Sequence, residues 1–411
     1  MKATTEKAFG ANLQSVFSNP CEKWQMKKLG EVCAIIGGGT PSKANTSFYG
    51  GDILWATVRD MKNDYLEDTE YKITLEAVQN SSTNIIPANN VIIATRVGLG
   101  KACFLKHNTA INQDLKALIP LNEKFLDVFY LFWWFKNISP KIVKAGTGAT
   151  VQGVKIPFLQ NLQILVPPLP EQHRIVSILD KAFTEIDKAK KNTEENIKKN
   201  KELFEAKLQY LFANTKSDWQ TKKLGDICEM APGGTPLKSI KEYWLDGKVS
   251  WYSSGELNEL YTSAPRKCIT HKGLGNSNTK LFPKGSLLIG IYDTAALKMS
   301  ILDRQAAFNQ AIVGIKPNSQ IEVKFIFHII NAIKTEILNQ RRGVRQKNLS
   351  FEKIKNIRLP LPPLPEQHRI VAELDAISEE TKKLEKLYRS KLTHLEELKK
   401  SILKQAFEGK L

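Results

Sequence analysis

The chain has 411 residues, 42% of them hydrophobic, and carries 60 Lys plus Arg against 42 Asp plus Glu, a net charge of +18. That is enough apolar material for two or three packed domains, and a surplus this basic points to a polyanionic partner. No run of about 18 apolar residues exists, the first ten residues lack a signal-peptide core, and five scattered cysteines form neither a disulfide framework nor a metal pair, so a cytoplasmic protein without membrane contact is expected.

Taken in chain order, residues 1–21 carry Phe9, Ala11, Leu13 and Gln14, which return as Phe204, Ala206, Leu208 and Gln209. A body over residues 22–166 follows. It opens on Trp24-Gln25-x-Lys27-Lys28-Leu29-Gly30 and a Gly38-Gly39-Thr40-Pro41 turn, and it holds the apolar run Val91–Ala94 and a helix-like stretch, Phe125–Ile138. At Pro167–Val176 stands the decapeptide PPLPEQHRIV. Proline in the first turn needs no N–H partner and Glu171 suits the positive helix N-terminus, so a helix starts there. Leu179, Phe183, Ile186, Ile197, Phe204, Leu208 and Leu211 continue it at three- and four-residue spacing through region 167–216.

The whole plan then recurs, offset by 195 residues between Pro167 and Pro362. The second body, 217–361, repeats the Trp219–Gly225 start and the Gly233-Gly234-Thr235-Pro236 turn, with a strand-like run at Leu287–Gly290 and a helix-like stretch at Val323–Leu338. In the last region, 362–411, PPLPEQHRIV returns letter for letter at Pro362–Val371, and Leu374, Ile377, Leu384, Tyr388, Leu395, Leu398 and Ile402 carry the helical period. Neither helical stretch meets Gly or Pro for about 40 residues, so each is a helix of roughly 60 Å, and the pair buries its apolar seam most economically as an antiparallel coiled coil. Ala406–Leu411 resembles Ala8–Leu13, so residues 1–21 read as the continuation of the C-terminal region. The expected fold is α+β: two β-rich domains joined by two long helices, circularly permuted about a pseudo-twofold axis with the termini close together.

These residues resemble the specificity subunits of type I restriction-modification systems. The likeness rests on the paired LPPLPEQHRIV blocks opening long helices, the two W-x-x-K-x-L-G starts, the GGTP turns, and the Asn112-Gln113 and Asn309-Gln310 segments, and it covers essentially the whole chain. It implies a non-catalytic reader of double-stranded DNA in which two target-recognition domains each read half of a split, asymmetric site. It further implies that the helices set the spacer and dock two methyltransferase subunits, which restriction subunits with translocase and nuclease activity then join. Partner docking falls on the duplicated helix starts Glu171, Gln172, His173, Arg174 and Glu366, Gln367, His368, Arg369.

Candidate DNA contacts come from residue chemistry. Arg forks guanine O6 and N7, Gln does the same for adenine N6 and N7, and Lys and Thr commonly take phosphates. Equivalent polar loops precede each PPLP block: Thr147, Thr150, Gln152 and Lys155 in the first, Arg341, Arg342, Arg345, Gln346 and Lys347 in the second. A single basic loop is also what a solvated surface looks like; its recurrence favours DNA. Thr40 with Lys43, Thr235 with Lys238, and Arg59, Arg96 and Lys101 complete the candidates. Gln113 and Gln310, shared by both halves, fit a common backbone feature better than the reading of different bases. Phe129–Phe135 reads as helix core.

Two rival classes remain open, a nucleic-acid-modifying enzyme and an inert coiled-coil scaffold. Asn19-Pro20-Cys21-Glu22 lacks the second Pro and the aromatic of an adenine methyltransferase tetrad, and Gly100-Lys101-Ala102 does not close a P-loop. The scattered histidines give no metal cluster, and no cofactor is expected. Divergence of the bodies within a shared frame argues against inert heads.

Overall fold

The computed structural model describes residues 24–147, 153–213, 219–292, 295–339 and 348–411. The chain divides into two compact units, one formed by residues up to Thr193 with Ser390–Leu411, the other by Glu194–Arg389.

In the first unit a five-stranded sheet runs in the order Cys33–Gly37, Leu115–Pro120, Val91–Ala94, Ala102–Leu105, Tyr65–Leu66. A four-stranded sheet places Tyr49–Ala56 between Tyr71–Ile73 and Thr109–Ile111, with Asn84–Ile86 at the far edge. Val91–Ala94 is buried on both faces, which explains its unbroken apolar run. A ribbon pairs Gln25 with Val166 and Lys28 with Gln163, so the body's first and last strands meet immediately before the long helix. Helix Val128–Ala145 packs its buried Tyr130–Phe135 run against Ile175, Leu179, Phe183 and Ile186 of that helix. It begins at Val128, after the expected start at Phe125, and runs past Ile138 through Pro140 to Ala145.

The second unit repeats the plan in reduced form. Met230–Pro232, Ile312–Ile315, Leu287–Gly290 and Met299–Ile301 form one sheet; Lys267–Ile269, Val249–Tyr252 and Ala307–Phe308 form the other. Gln220–Lys223 pairs with Arg358–Leu361 as the closing ribbon. The expected single helix is broken into Val323–Ala332 and Lys334–Asn339.

Both long helices form, Leu169–Ala213 and Leu364–Phe407. Each starts where proline permits: the Pro168 carbonyl accepts from the Glu171 N–H at 2.9 Å, and Pro363 from Glu366 at 2.9 Å. They pair antiparallel within each unit. In the first, Lys399 meets Asp187 at 3.0 Å and Lys190 meets Glu396. In the second, Lys207 meets Glu373 at 2.6 Å, Lys201 meets Glu385 at 3.9 Å, and Asn200 Nδ2 donates to the Thr381 carbonyl at 2.8 Å. Asn200 is buried, a polar group of the kind that fixes register in a coiled coil. At the C-terminus Ala406 is fully buried, the Phe407 ring lies 5.1 Å from that of Tyr130, and Arg174 donates to the Leu411 carbonyl at 2.8 Å. The segment expected to complete this region, residues 1–21, lies outside the described residues, as does Cys21. Cys33, Cys103 and Cys228 are free and buried, and burial pushes each thiol up to about 12. Among the described residues no helix is long and apolar enough to cross a membrane.

Candidate nucleic-acid interface

The Gly-Gly-Thr-Pro turns are set by close backbone approach. A Cβ on Gly38 would sit 2.0 Å from the Ile111 carbonyl oxygen, and one on Gly233 would sit 2.2 Å from that of Phe308. Neither position tolerates a side chain. The Trp55 indole N–H donates to the Gly39 carbonyl at 3.1 Å, and Trp251 does the same to Gly234 at 3.0 Å. The hydroxyl of Thr40 donates to Gln113 Oε1, and that of Thr235 to Gln310 Oε1. Gln113 and Gln310 thus occupy a structural position common to both heads.

Each turn borders a cleft. The first, of about 710 Å³, is lined by Thr40, Lys43, Arg59, Tyr71, Val97 and Gln113 among others. The second, of about 360 Å³, is lined by Thr235, Lys238, Glu256, Arg266, Lys267 and Gln310 among others. A carboxylate clamp supports the wall of both. Asp60 Oδ2 accepts from the Thr57 N–H at 2.7 Å and its hydroxyl at 2.8 Å, while Oδ1 accepts from the Glu70 N–H at 2.8 Å. Glu256 Oε2 accepts from the Ser253 N–H at 2.9 Å and its hydroxyl at 2.7 Å, while Oε1 accepts from the Arg266 N–H at 2.9 Å. Burial works against ionisation of Glu256, but hydrogen bonds from Arg266 and Ser253 outweigh it and hold the carboxyl below its usual range.

The structure brings Thr40, Lys43 and Arg59 into the first cleft and Thr235 and Lys238 into the second. Arg96 stands at the edge of the first, paired at 3.3 Å with Asp114, itself a lining residue. Lys101 is turned away, its Nζ donating to the Met61 carbonyl at 3.4 Å. Thr147 exchanges backbone bonds with Gly153 at 3.1 and 3.0 Å, and Val154 N–H donates to the Thr95 carbonyl at 2.9 Å, which closes that loop beside Arg96. Lys155 is exposed and precedes the short helix Ile156–Gln160. Thr150, Gln152, Arg341, Arg342, Arg345, Gln346 and Lys347 lie outside the described residues. Their segment in the second unit rejoins the head where Leu349 N–H donates to the Ile291 carbonyl at 2.8 Å, the counterpart of the Val154 bond. Sequence reasoning missed Tyr71, Arg266, Lys267 and the two clamps. The available signal was Thr57-x-x-Asp60 beside Ser253-x-x-Glu256, a hydroxyl-to-carboxylate spacing repeated in both halves.

At the helix starts, Gln172 and Gln367 leave the docking set. Their side chains are 0% and 1% exposed. Gln172 accepts from the Asp127 N–H and donates to the Phe125 and Pro167 carbonyls, each at 2.8 Å. Gln367 repeats this with the Glu322 N–H at 2.9 Å and the Gln320 and Pro362 carbonyls at 3.2 and 2.9 Å. Each glutamine fastens a long helix to its own head. The neighbours face outward: Glu171 pairs with Arg174 at 2.7 Å, Glu366 with Arg369 at 2.8 Å, and His173 and His368 lie 3.6 and 3.4 Å from Asp127 and Glu322. Among the described residues no three His, Cys, Asp or Glu side chains group as a metal site.

Comparison with known proteins gives a consistent result. The model of the type I restriction modification DNA specificity domain matches twice, over residues 21–199 and 216–394. The chain is 24% identical over 369 residues to the type I restriction enzyme MjaIX specificity subunit of Methanocaldococcus jannaschii, covering 83% of this chain and 84% of that one. It is 39% identical over 167 residues to the EcoR124I/EcoR124II specificity subunit of Escherichia coli, covering 39% and 41%. Among solved structures, the HsdS subunit of Thermoanaerobacter tengcongensis shares the fold at a TM-score of 0.63 and 20% identity, over 95% of this chain and 98% of that one. A chain from a study of complex assembly and conformational transition of the type I R-M system matches at 0.78 and 21%, over 95% and 99%.

Proposed function

The chain belongs to the type I restriction-modification DNA specificity family, and from that premise we propose how its parts divide the work. It is the non-catalytic subunit that gives a restriction-modification complex its DNA sequence specificity. Residues 22–166 and 217–361 are the two readers, each taking one half of a bipartite site through its cleft together with the polar loop that precedes its PPLP block in sequence. Regions 167–216 and 362–411, completed by residues 1–21, set the spacer between half-sites and dock two methyltransferase subunits, to which restriction subunits add. The exposed His173, Arg174, His368 and Arg369, with the half-buried Glu171 and Glu366 that pair with the two arginines, form the docking surface.

The observation that carries this reading is the pair of equivalent clefts. They share a frame of Gly-Gly-Thr, Trp and Gln but differ in the side chains they present, Arg59 and Tyr71 in one against Arg266 and Lys267 in the other. A common frame with different contents is what two unequal half-sites require. The test is reconstitution. The purified chain with S-adenosylmethionine transfers no methyl group to DNA, and adding a methyltransferase subunit of the same system yields methylation at a split site. Methyl transfer by the single chain would overturn the reading.

A further inference from the structure

We propose that Arg266 is a base-reading residue of the second half-site, presented by the Glu256 clamp as Arg59 is presented by the Asp60 clamp of the first head. This deepens the DNA-reading function above and rests on it.

In both heads one carboxylate ties a residue three positions before it to a backbone N–H ten positions after it. Both of its oxygens are occupied, so the clamp stiffens the wall of the cleft. What each clamp carries differs. In the first head the guanidinium stands just before the carboxylate, at Arg59, and the far end of the clamp is Glu70. In the second head the position of Arg59 is taken by Gly255 and that of Glu70 by Arg266. Each clamp therefore presents one arginine into its cleft, from opposite ends. Glu256 acts as a positioning residue, since it holds the Arg266 backbone directly.

Among the described residues neither guanidinium is held by a side-chain hydrogen bond or a close ion pair, although the Arg266 charge helps to lower the Glu256 carboxyl, and both side chains are exposed. Arg304, by contrast, is neutralised by Asp303 at 2.6 Å, and Arg96 by Asp114 at 3.3 Å. An exposed arginine on a fixed backbone gives up little to form a planar, two-pronged contact, and guanine O6 and N7 in the major groove are the acceptor pair that fits that fork. The neighbouring Lys267 rests its ammonium 5.8 Å from the Trp244 ring centre, a point charge suited to phosphate. Arginines on opposite ends of the same clamp would meet different base pairs of their half-sites.

The experiment uses the full chain in complex with its methyltransferase subunits, measuring methylation rates on duplexes that carry every single-base change in the second half-site. Arg266→Ala and Arg266→Lys are both expected to lose discrimination at one base pair by roughly 5- to 150-fold. First-half-site preferences and the melting temperature should stay as in the unaltered protein. Glu256→Gln should relax that same base pair. Uniform weakening on all sequences with recovery in Arg266→Lys would make this residue a phosphate contact and overturn the proposal, as would unchanged preferences. If the unaltered complex methylates no split site, the function proposed above fails; if it does and the Arg266 variants keep every preference, only this inference fails.

Discussion

Replacing Gln172 with Ala should loosen the joint between the first head and its helix without touching any exposed surface. The side chain is fully buried and makes three bonds of 2.8 Å, to the Asp127 N–H and the Phe125 and Pro167 carbonyls. A net hydrogen bond contributes about 0.5 to 1.5 kcal/mol, and a buried partner left unsatisfied costs about 1 to 3 kcal/mol. Water will reach some of the orphaned groups, so a local destabilisation of about 3 kcal/mol is expected. Hydrogen exchange reads it where it occurs: the Asp127 amide should exchange about 100-fold faster or more, while the Glu322 amide, held by Gln367 in the other unit at 2.9 Å, should not change. Gln367→Ala should give the mirror result. Unchanged Asp127 exchange combined with weaker binding of methyltransferase would refute the argument, because it would mean that Gln172 acts at the partner surface after all.

Other consequences follow from the same geometry. Gly38→Ala or Gly233→Ala should cost several kcal/mol in thermal unfolding, because the new Cβ would meet a backbone oxygen that no rotamer change can move, whereas Gly255→Ala, with nothing within 4 Å, should melt normally. Burial, with Lys324 nearby, pushes His328 down to about 4 against the opposing pull of Asp375. The native state therefore holds it neutral while the unfolded chain takes up a proton below about pH 6.5. Its contribution is present above that pH and falls by about 3 kcal/mol as pH drops toward 4. His328→Trp, which copies the Trp133 indole that donates to Asp180 at 2.9 Å in the first unit, should flatten that part of the stability profile in chemical denaturation. Replacing Arg345 or Gln346 should change base preference in the second half-site alone, read by methylation of single-base variants; equal weakening of both half-sites would make that loop an electrostatic clamp.

The duplicated plan was legible because repetition needs no energetic weighing. PPLP marks a helix start by local chemistry, and both long helices begin within it. Strands Val91–Ala94 and Leu287–Gly290 were legible as apolar runs because both of their faces are buried. The seam was read less well: Leu384 and Leu398 fit the helical period yet are 39% and 47% exposed, while polar Thr193 and Asn200 are buried, since periodicity assigns a face and cannot say what covers it. Polar residues hid their roles most. Gln172 sits between half-buried Glu171 and the exposed His173 and Arg174, and only the chain's return at Phe125 and Asp127, 47 and 45 residues away, turns it inward. The clamps depend in the same way on where Glu70 and Arg266 come back to the strand. Arg266, with Lys267 beside it, lies well before the dense basic run at 341–347, and nothing in its local sequence marks it as the far end of a clamp.

That two heads read and two helices space them is tested most directly by a base-resolved methylation map, taken for the reconstituted complex and for a variant lacking residues 190–196 together with 385–391. One heptad is about 10 Å of helix, or roughly three base-pair rises. The unaltered complex should modify two unequal half-sites, and the deletion should keep both sequences while shortening the spacer by roughly one to three base pairs. A continuous site, or an unchanged spacer with full activity, would contradict it.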